Sequence, residues 1–194
     1  MTRLSPELIA VGTSLGGLSA LLELLRALPA TLPVPIALVQ HRGVGGEATL
    51  VEMLSRGTEL AVVEAEDKVE MKPGTVYVAP PDYHLLVEEK GTLALSTEAP
   101  VRSARPSIDV LFETAADAYR GRLIAILLTG ASADGAAGLA HVKRLGGCAI
   151  VQDPATAECA TMPAAGIAAA PIDHVLPLGE IGAHLLGLVE GTRV

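Results

Sequence analysis

The fold class this sequence predicts is α/β: a single doubly wound, mainly parallel sheet flanked by helices, with an antiparallel hairpin insertion. Three observations predict it. Short runs of strand formers alternate with stretches whose leucines recur at helical spacing, from one end of the chain to the other. Residues 123–128, Leu-Ile-Ala-Ile-Leu-Leu, are apolar without a break, as in a strand buried on both faces of a parallel sheet. Half of the 194 residues are hydrophobic against 19% charged, enough to fill a core between layers.

The first apolar run, residues 8–11, stops at Gly12. Behind it Leu18, Leu21, Leu22, Leu25 and Leu28 share one helical face, with Glu23 and Arg26 opposite. Pro33-Val34-Pro35 leads into a strand over 36–40, ended by His41-Arg42-Gly43, and a helix is expected over 47–54. Residues 75–79, 84–87 and 92–95 are β-like runs separated by Pro80-Pro81-Asp82 and by Glu88-Glu89-Lys90-Gly91. Both pairs read as antiparallel hairpins. Ser107 is the expected N-cap of a helix over 108–119. After the strand at 123–128, Leu139, Val142 and Leu145 stripe a helix that closes on Lys143, Arg144 and Gly146-Gly147. A strand over 148–152, a short helix over 162–169 and an amphipathic helix over 178–189 complete the chain. No repeat or shift in composition divides it, so one domain over 1–194 is expected.

Composition narrows the function classes. Aromatic residues make up 2%, with no Trp and Phe112 as the single Phe, which speaks against a base-stacking platform. The formal net charge of -8 repels phosphate backbones, so nucleic acid is not an expected partner. No apolar run approaches the roughly 20 residues that span a bilayer, and the N-terminus has no signal-peptide pattern. Cys148 and Cys159 fit no metal or redox spacing, and the histidines and carboxylates show no ligand spacing. The expectation is a cytoplasmic protein without metal or cofactor.

In an open parallel sheet the ligand site lies beyond the C-terminal ends of the strands. Three segments at that address carry reactive groups. Gly12-Thr13-Ser14-Leu15-Gly16-Gly17 fits the G-x-S-x-G elbow, in which a sharp turn lifts a serine oxygen clear of the sheet. Its plainer reading is a glycine-rich turn with Ser14 as an N-cap. His41 ends the second strand, where an imidazole can serve a neighbouring hydroxyl as general base. Asp134, in Thr129-Gly130-Ala131-Ser132-Ala133-Asp134-Gly135, can orient such a histidine through its Nδ1 proton, or simply cap the helix that follows. The remaining histidines have weaker claims. His141 and His184 belong on solvated helix faces, His174 precedes a strand, and His84 starts a hairpin strand beside Tyr83. The chain order Ser, His, Asp differs from that of the α/β-hydrolases.

Six stretches in order give a resemblance: Ile9-Ala10-Val11-Gly12-Thr13-Ser14-Leu15-Gly16-Gly17, Val39-Gln40-His41, Val76-Tyr77-Val78-Ala79-Pro80, Arg105-Pro106-Ser107-Ile108-Asp109-Val110-Leu111-Phe112, Leu127-Leu128-Thr129-Gly130 and Asp134-Gly135-Ala136-Ala137-Gly138. Together they resemble the catalytic domain of the chemotaxis protein-glutamate methylesterases, the CheB family. The resemblance implies a serine hydrolase with Ser14 as nucleophile, His41 as base and Asp134 as orienting acid. It implies an oxyanion and binding region at Leu15, Ala131, Gly16 and Gly17, with backbone N–H groups near Leu15 and Ala131 as donors. The implied activity is demethylation of glutamate γ-methyl esters on the cytoplasmic helical bundle of methylated chemoreceptors, with deamidation of receptor glutamines in some members. A separate receiver protein is the implied regulatory partner. Arg42, Tyr83, His84, Arg102 and Arg105 are the expected rim for an acidic receptor helix. Three departures stand out: Leu15 replaces the family's threonine after the nucleophile, Ala131-Ser132-Ala133 replaces its usual Met-Gly segment, and the chain begins at the first catalytic strand where the familiar chemotaxis enzyme has an N-terminal receiver domain, so a stand-alone catalytic domain is expected. The competing reading is a catalytically decayed domain that binds an anion at the glycine-rich helix start. Against it, the motif is not G-x-G-x-x-G and has no P-loop lysine.

Overall fold

The computed structural model describes residues 6–41 and 49–191. In chain order the strands are β1 (Leu8–Thr13), β2 (Ile36–Gln40), β3 (Ala61–Glu64), β4 (Thr75–Val78) and β5 (His84–Val87), then β6 (Leu93–Ser96), β7 (Leu123–Leu127), β8 (Cys148–Gln152) and β9 (His174–Leu176). The helices are α1 (Gly17–Arg26), α2 (Leu50–Ser55), α3 (Ile108–Tyr119), α4 (Ala136–Arg144), α5 (Thr161–Ala169) and α6 (Leu178–Glu190). Seven strands form one sheet in the order β3-β4-β2-β1-β7-β8-β9, every pair parallel; β5 and β6 form a separate antiparallel pair.

The period-two geometry of the strands sorts their side chains into two cores. From β1, Leu8 and Ala10 join one core with residues of α3, α4 and α5, while Ile9 and Val11 join the other with α1, α2 and α6. All six residues of β1 are buried, because it is central and covered by helices on both faces. Helix α1 therefore carries the chain from β1 to β2 over one face, and α4 carries it from β7 to β8 over the other. Since β1 and β7 are neighbours, the two crossovers part above them and leave a crevice at their C-terminal ends.

Two sequence expectations need correcting. β4 is not the partner of β5 in a hairpin; it is an inner strand between β2 and β3. Val76, Tyr77, Val78 and Ala79 are all buried, so this run carries the same two-face signature as 123–127. Pro80-Pro81-Asp82 leads the chain off the sheet instead of turning it back, and only β5 and β6 pair as a hairpin. β3 escaped notice because it is a four-residue edge strand, three of whose residues are exposed. Helix α2 begins at Leu50, where Thr49 and Glu52 form a capping box. The expected start at 47 lies outside the described residues.

Candidate active site

Ser14 stands on the turn between β1 and α1, tied down on both sides. Its N–H donates to Thr129 O at 3.0 Å, and the Thr13 hydroxyl donates to the same oxygen at 2.8 Å, so the end of β7 holds the turn. Gln40 Nε2 donates to Ser14 O at 2.8 Å and to His41 O at 2.9 Å, one amide locking both backbones. Gly16 caps α1 at φ 77°, which a residue with a β-carbon adopts only under strain. Gly12 is required by close approach: a β-carbon there would lie 2.2 Å from Ile108 Cγ2 at the start of α3.

His41 and Asp134 meet across the strand ends, His41 Nε2 to Asp134 Oδ2 at 2.7 Å. Asp134 is buried, and its carboxylate lies at the N-terminus of α3, not that of α4. Oδ2 also accepts from Ile108 N at 2.7 Å; Oδ1 accepts from Asp109 N at 3.0 Å and from the Ser107 hydroxyl at 2.8 Å. Burial pushes this carboxyl up, but the hydrogen bonds from His41, the two helix N–H groups and Ser107 outweigh it and hold it below the usual carboxylate range. The expected contact through Nδ1 is thus replaced by one through Nε2. Carboxylate acceptance from Nε2–H leaves the Nδ1 lone pair as the basic atom. The expectation that Asp134 caps α4 is also corrected: Gly135 holds that position, at φ 96°.

The favour is returned from α3. Asp109 Oδ1 accepts from Gly135 N at 2.9 Å and Gly138 N at 2.7 Å, so each helix start is capped by the acid of the other's segment. Burial foremost, eased by the Gly138 N–H and reinforced by the charge of Asp134, lifts the Asp109 carboxyl above its ordinary value. Arg102 Nε at 3.2 Å supplies the opposing charge.

His84 is buried behind this cluster, not on a rim. Its Nδ1 accepts from Ser107 N at 3.2 Å and its Nε2 donates to Ala99 O at 3.2 Å, supporting the residue that supports Asp134. Arg105 is likewise structural: its guanidinium donates to Thr97 O at 3.0 Å and Glu98 O at 3.1 Å. Tyr83 is exposed as expected, and Arg42 lies outside the described residues. His141, placed on a solvated face by the sequence, pairs with Asp117 at 2.7 Å. His184 packs edge-on against His174 with ring centroids 4.1 Å apart, so neither is simply solvated.

Ser14, Leu15, Gly16, Gly17, Gln40 and His41 line one open cleft of about 490 Å³, with Glu158 on its wall. Ser14 Oγ has no hydrogen-bond partner among the described residues. Catalytic contacts commonly tighten only when substrate binds. Of the four expected binding residues, Leu15 is exposed and Gly16 lines the cleft, with the N–H groups of both untaken by described residues. Gly17 N–H is already used, donating to Ser14 O at 2.9 Å. Ala131 is exposed on the loop after β7, its N–H untaken by described residues, and is not on the cleft wall. Among the described residues no group of three or more His, Cys, Asp or Glu is arranged to hold a metal ion.

Sequence reading passed over the polar residues that build the scaffold. Thr129 N–H donates to Gln152 Oε1 at 2.9 Å, and the Thr129 hydroxyl donates to Leu15 O at 2.9 Å while accepting from Cys159 N at 2.9 Å. Their one local signal was position: Gln40, Thr129 and Gln152 each stand at or just past a strand end, where a buried side chain must satisfy loop backbone.

A family model described as CheB methylesterase matches residues 9–185. A Leptospira interrogans protein provisionally named protein-glutamate methylesterase/protein-glutamine glutaminase is 47% identical over 96% of both chains. Protein-glutamate methylesterase FrzG of Myxococcus xanthus is 42% identical over 94% of this chain and 55% of its own length. The crystal structure of the Thermotoga maritima CheB methylesterase catalytic domain matches with a TM-score of 0.89 at 36% identity, over 96% of this chain and 99% of the other. By these matches, and with the fold they share, the chain belongs to the CheB methylesterase family.

Proposed function

We propose that residues 1–194 act as one catalytic unit that hydrolyses glutamate γ-methyl esters on the cytoplasmic helices of methylated chemoreceptors, releasing methanol, and that deamidates receptor glutamines by the same route. The observation that carries the reading is the His41–Asp134 pair at 2.7 Å, with His41 and Ser14 on the wall of one open cleft. Family membership supports the reaction class, and the curated relatives carry both activities in their names. The decayed, anion-binding alternative is not favoured, because serine, histidine and aspartate are all retained.

The steps balance as acyl transfer. Ser14 Oγ gives its proton to His41 Nδ1 and bonds to the ester carbonyl carbon; the tetrahedral oxyanion is met by backbone N–H groups, with Leu15 the donor nearest in sequence. The intermediate collapses by breaking the bond to methoxy oxygen, which takes the proton from His41 and leaves as methanol. Water then gives a proton to His41 and attacks the acyl-enzyme. The bond to Ser14 Oγ breaks, Ser14 recovers its proton, and the free glutamate ionises. Asp134, held ionised at the α3 N-terminus, steadies the imidazolium formed at each stage. With an amide substrate the leaving group is ammonia. The expected place of work is the cytoplasm, where those receptor helices lie.

The test is methanol release from methylated receptor membranes by the wild-type protein and by Ser14→Ala. The wild type should release methanol and the variant none, with the melting temperature unaltered because the substitution removes one unbonded oxygen at a turn. Wild-type turnover in the alanine variant would rule out Ser14 as nucleophile.

A further inference from the structure

Glu158, between β8 and α5, lines the same cleft as Ser14 and His41. It is the one Asp or Glu among the described residues on that wall. Its side chain lies over Gly16: a β-carbon on Gly16 would come within 2.7 Å of both Glu158 Cβ and Glu158 Oε2. The carboxylate has no hydrogen bond or ion pair with another described residue, and the residue is exposed. Beneath it, α1 starts with no side-chain cap and no acidic residue in its first turn. Among the described residues this carboxylate has no bonded partner, yet it is aimed at the corner of the cleft beside the nucleophile.

The reaction assigned to this cleft turns a neutral side chain into an anion. A site that stabilises an oxyanion through N–H groups, next to a helix N-terminus, also attracts the carboxylate it has just made. We propose that Glu158 is a specificity-determining residue that acts as a charge filter, favouring the uncharged ester or carboxamide over the free glutamate side chain and so driving product out. The inference rests on the esterase reading above. A fixed negative charge at the Gly16 corner leaves a neutral ester nearly untouched and repels an anion; across about 4 Å in water, Coulomb's law makes that roughly fivefold in affinity. The repulsion is open to solvent, so salt weakens it.

The experiment uses the full chain with Ser14→Ala, alone and combined with Glu158→Gln. The probes are three short peptides, identical except for one position holding glutamate γ-methyl ester, glutamine or glutamate. Titration by NMR should show the ester-to-glutamate affinity ratio falling about fivefold in the Glu158→Gln protein. Raising salt should lower the ratio in the Glu158 protein and not in the variant. An unchanged ratio, or a ratio indifferent to salt in both proteins, overturns the proposal. So does an ester peptide that fails to bind. If Glu158 serves only to offset the α1 dipole, the variant melts at a lower temperature while the ratio stays put, which also overturns it. Methanol release from the ester peptide by the wild-type chain is measured separately. Its absence removes the esterase reading, while the affinity ratio still decides the role of Glu158.

Discussion

Replacing Asp134 by Asn removes one charge and turns one acceptor oxygen into a donor, in a pocket that holds four donors. In one amide orientation the oxygen keeps Ile108 N–H and His41, and the new NH2 faces Asp109 N–H and Ser107. The Ser107 hydroxyl can rotate to accept, but Asp109 N–H is stranded. In the other orientation Ile108 N–H is stranded, and the NH2 donates to His41 Nε2. That moves the imidazole proton to Nδ1, the atom that receives the proton of Ser14 in the proposed mechanism. Either way a buried N–H loses its partner, costing about 1–3 kcal/mol, and the surviving bonds lose their charge assistance. The expected destabilisation is about 3–5 kcal/mol at neutral pH, the scale for breaking a buried charged cluster. Turnover should fall toward the roughly 10⁴-fold loss seen when the orienting aspartate of a serine protease becomes asparagine. The sign with pH follows from the depressed carboxyl: its stabilisation is complete above the ordinary value of 3.8 and is lost as pH falls through the lower folded value. The gap between wild type and Asp134→Asn in urea unfolding should therefore be constant from pH 7 to 5 and close only below about 3.8. A variant as stable as the wild type at pH 7, or a gap that does not shrink in acid, would refute the reasoning.

Other expectations follow from the same contacts. Ser107→Ala removes a hydroxyl donor from Asp134 and should cost about 1.5–3 kcal/mol in chemical denaturation, with Ser107→Thr recovering much of it. Gly16→Ala places a β-carbon at φ 77° against Glu158 and should destabilise by about 1–2 kcal/mol, with turnover falling as the Ser14 turn shifts. Of the two thiols, Cys148 is buried, which pushes it up to about 12, so iodoacetamide should label Cys159 alone in the native protein. Equal labelling by mass spectrometry would contradict the placement of Cys148 on β8. Methylated receptor, small ester and urea assays on Arg105→Ala should show a stability loss common to all substrates, because that guanidinium holds the carbonyls of Thr97 and Glu98.

The sequence by itself determined the layer architecture and picked out the candidate site residues that the fold brings to one end of the sheet. Apolar continuity and helical stripes are local properties, so β2, β8 and α3 were legible to the residue, and Ser14 and His41 sat at strand ends, with Asp134 in the loop after a third strand, before any contact was known. Ser107 was legible as a helix cap, because capping needs only neighbours in the chain. Pairing was not legible. The run at 75–78 reads equally as a hairpin arm or an inner parallel strand, since strand partners lie far away in sequence. Only the tertiary structure decided that Asp134 caps α3 across 26 residues while Asp109 caps α4, that His41 bonds through Nε2, and that His84 and Arg105 serve the scaffold. It alone brought Glu158 over Gly16. The physical reason is common to all of these: a buried polar group must find a partner wherever packing places one, and packing joins segments that no periodicity connects.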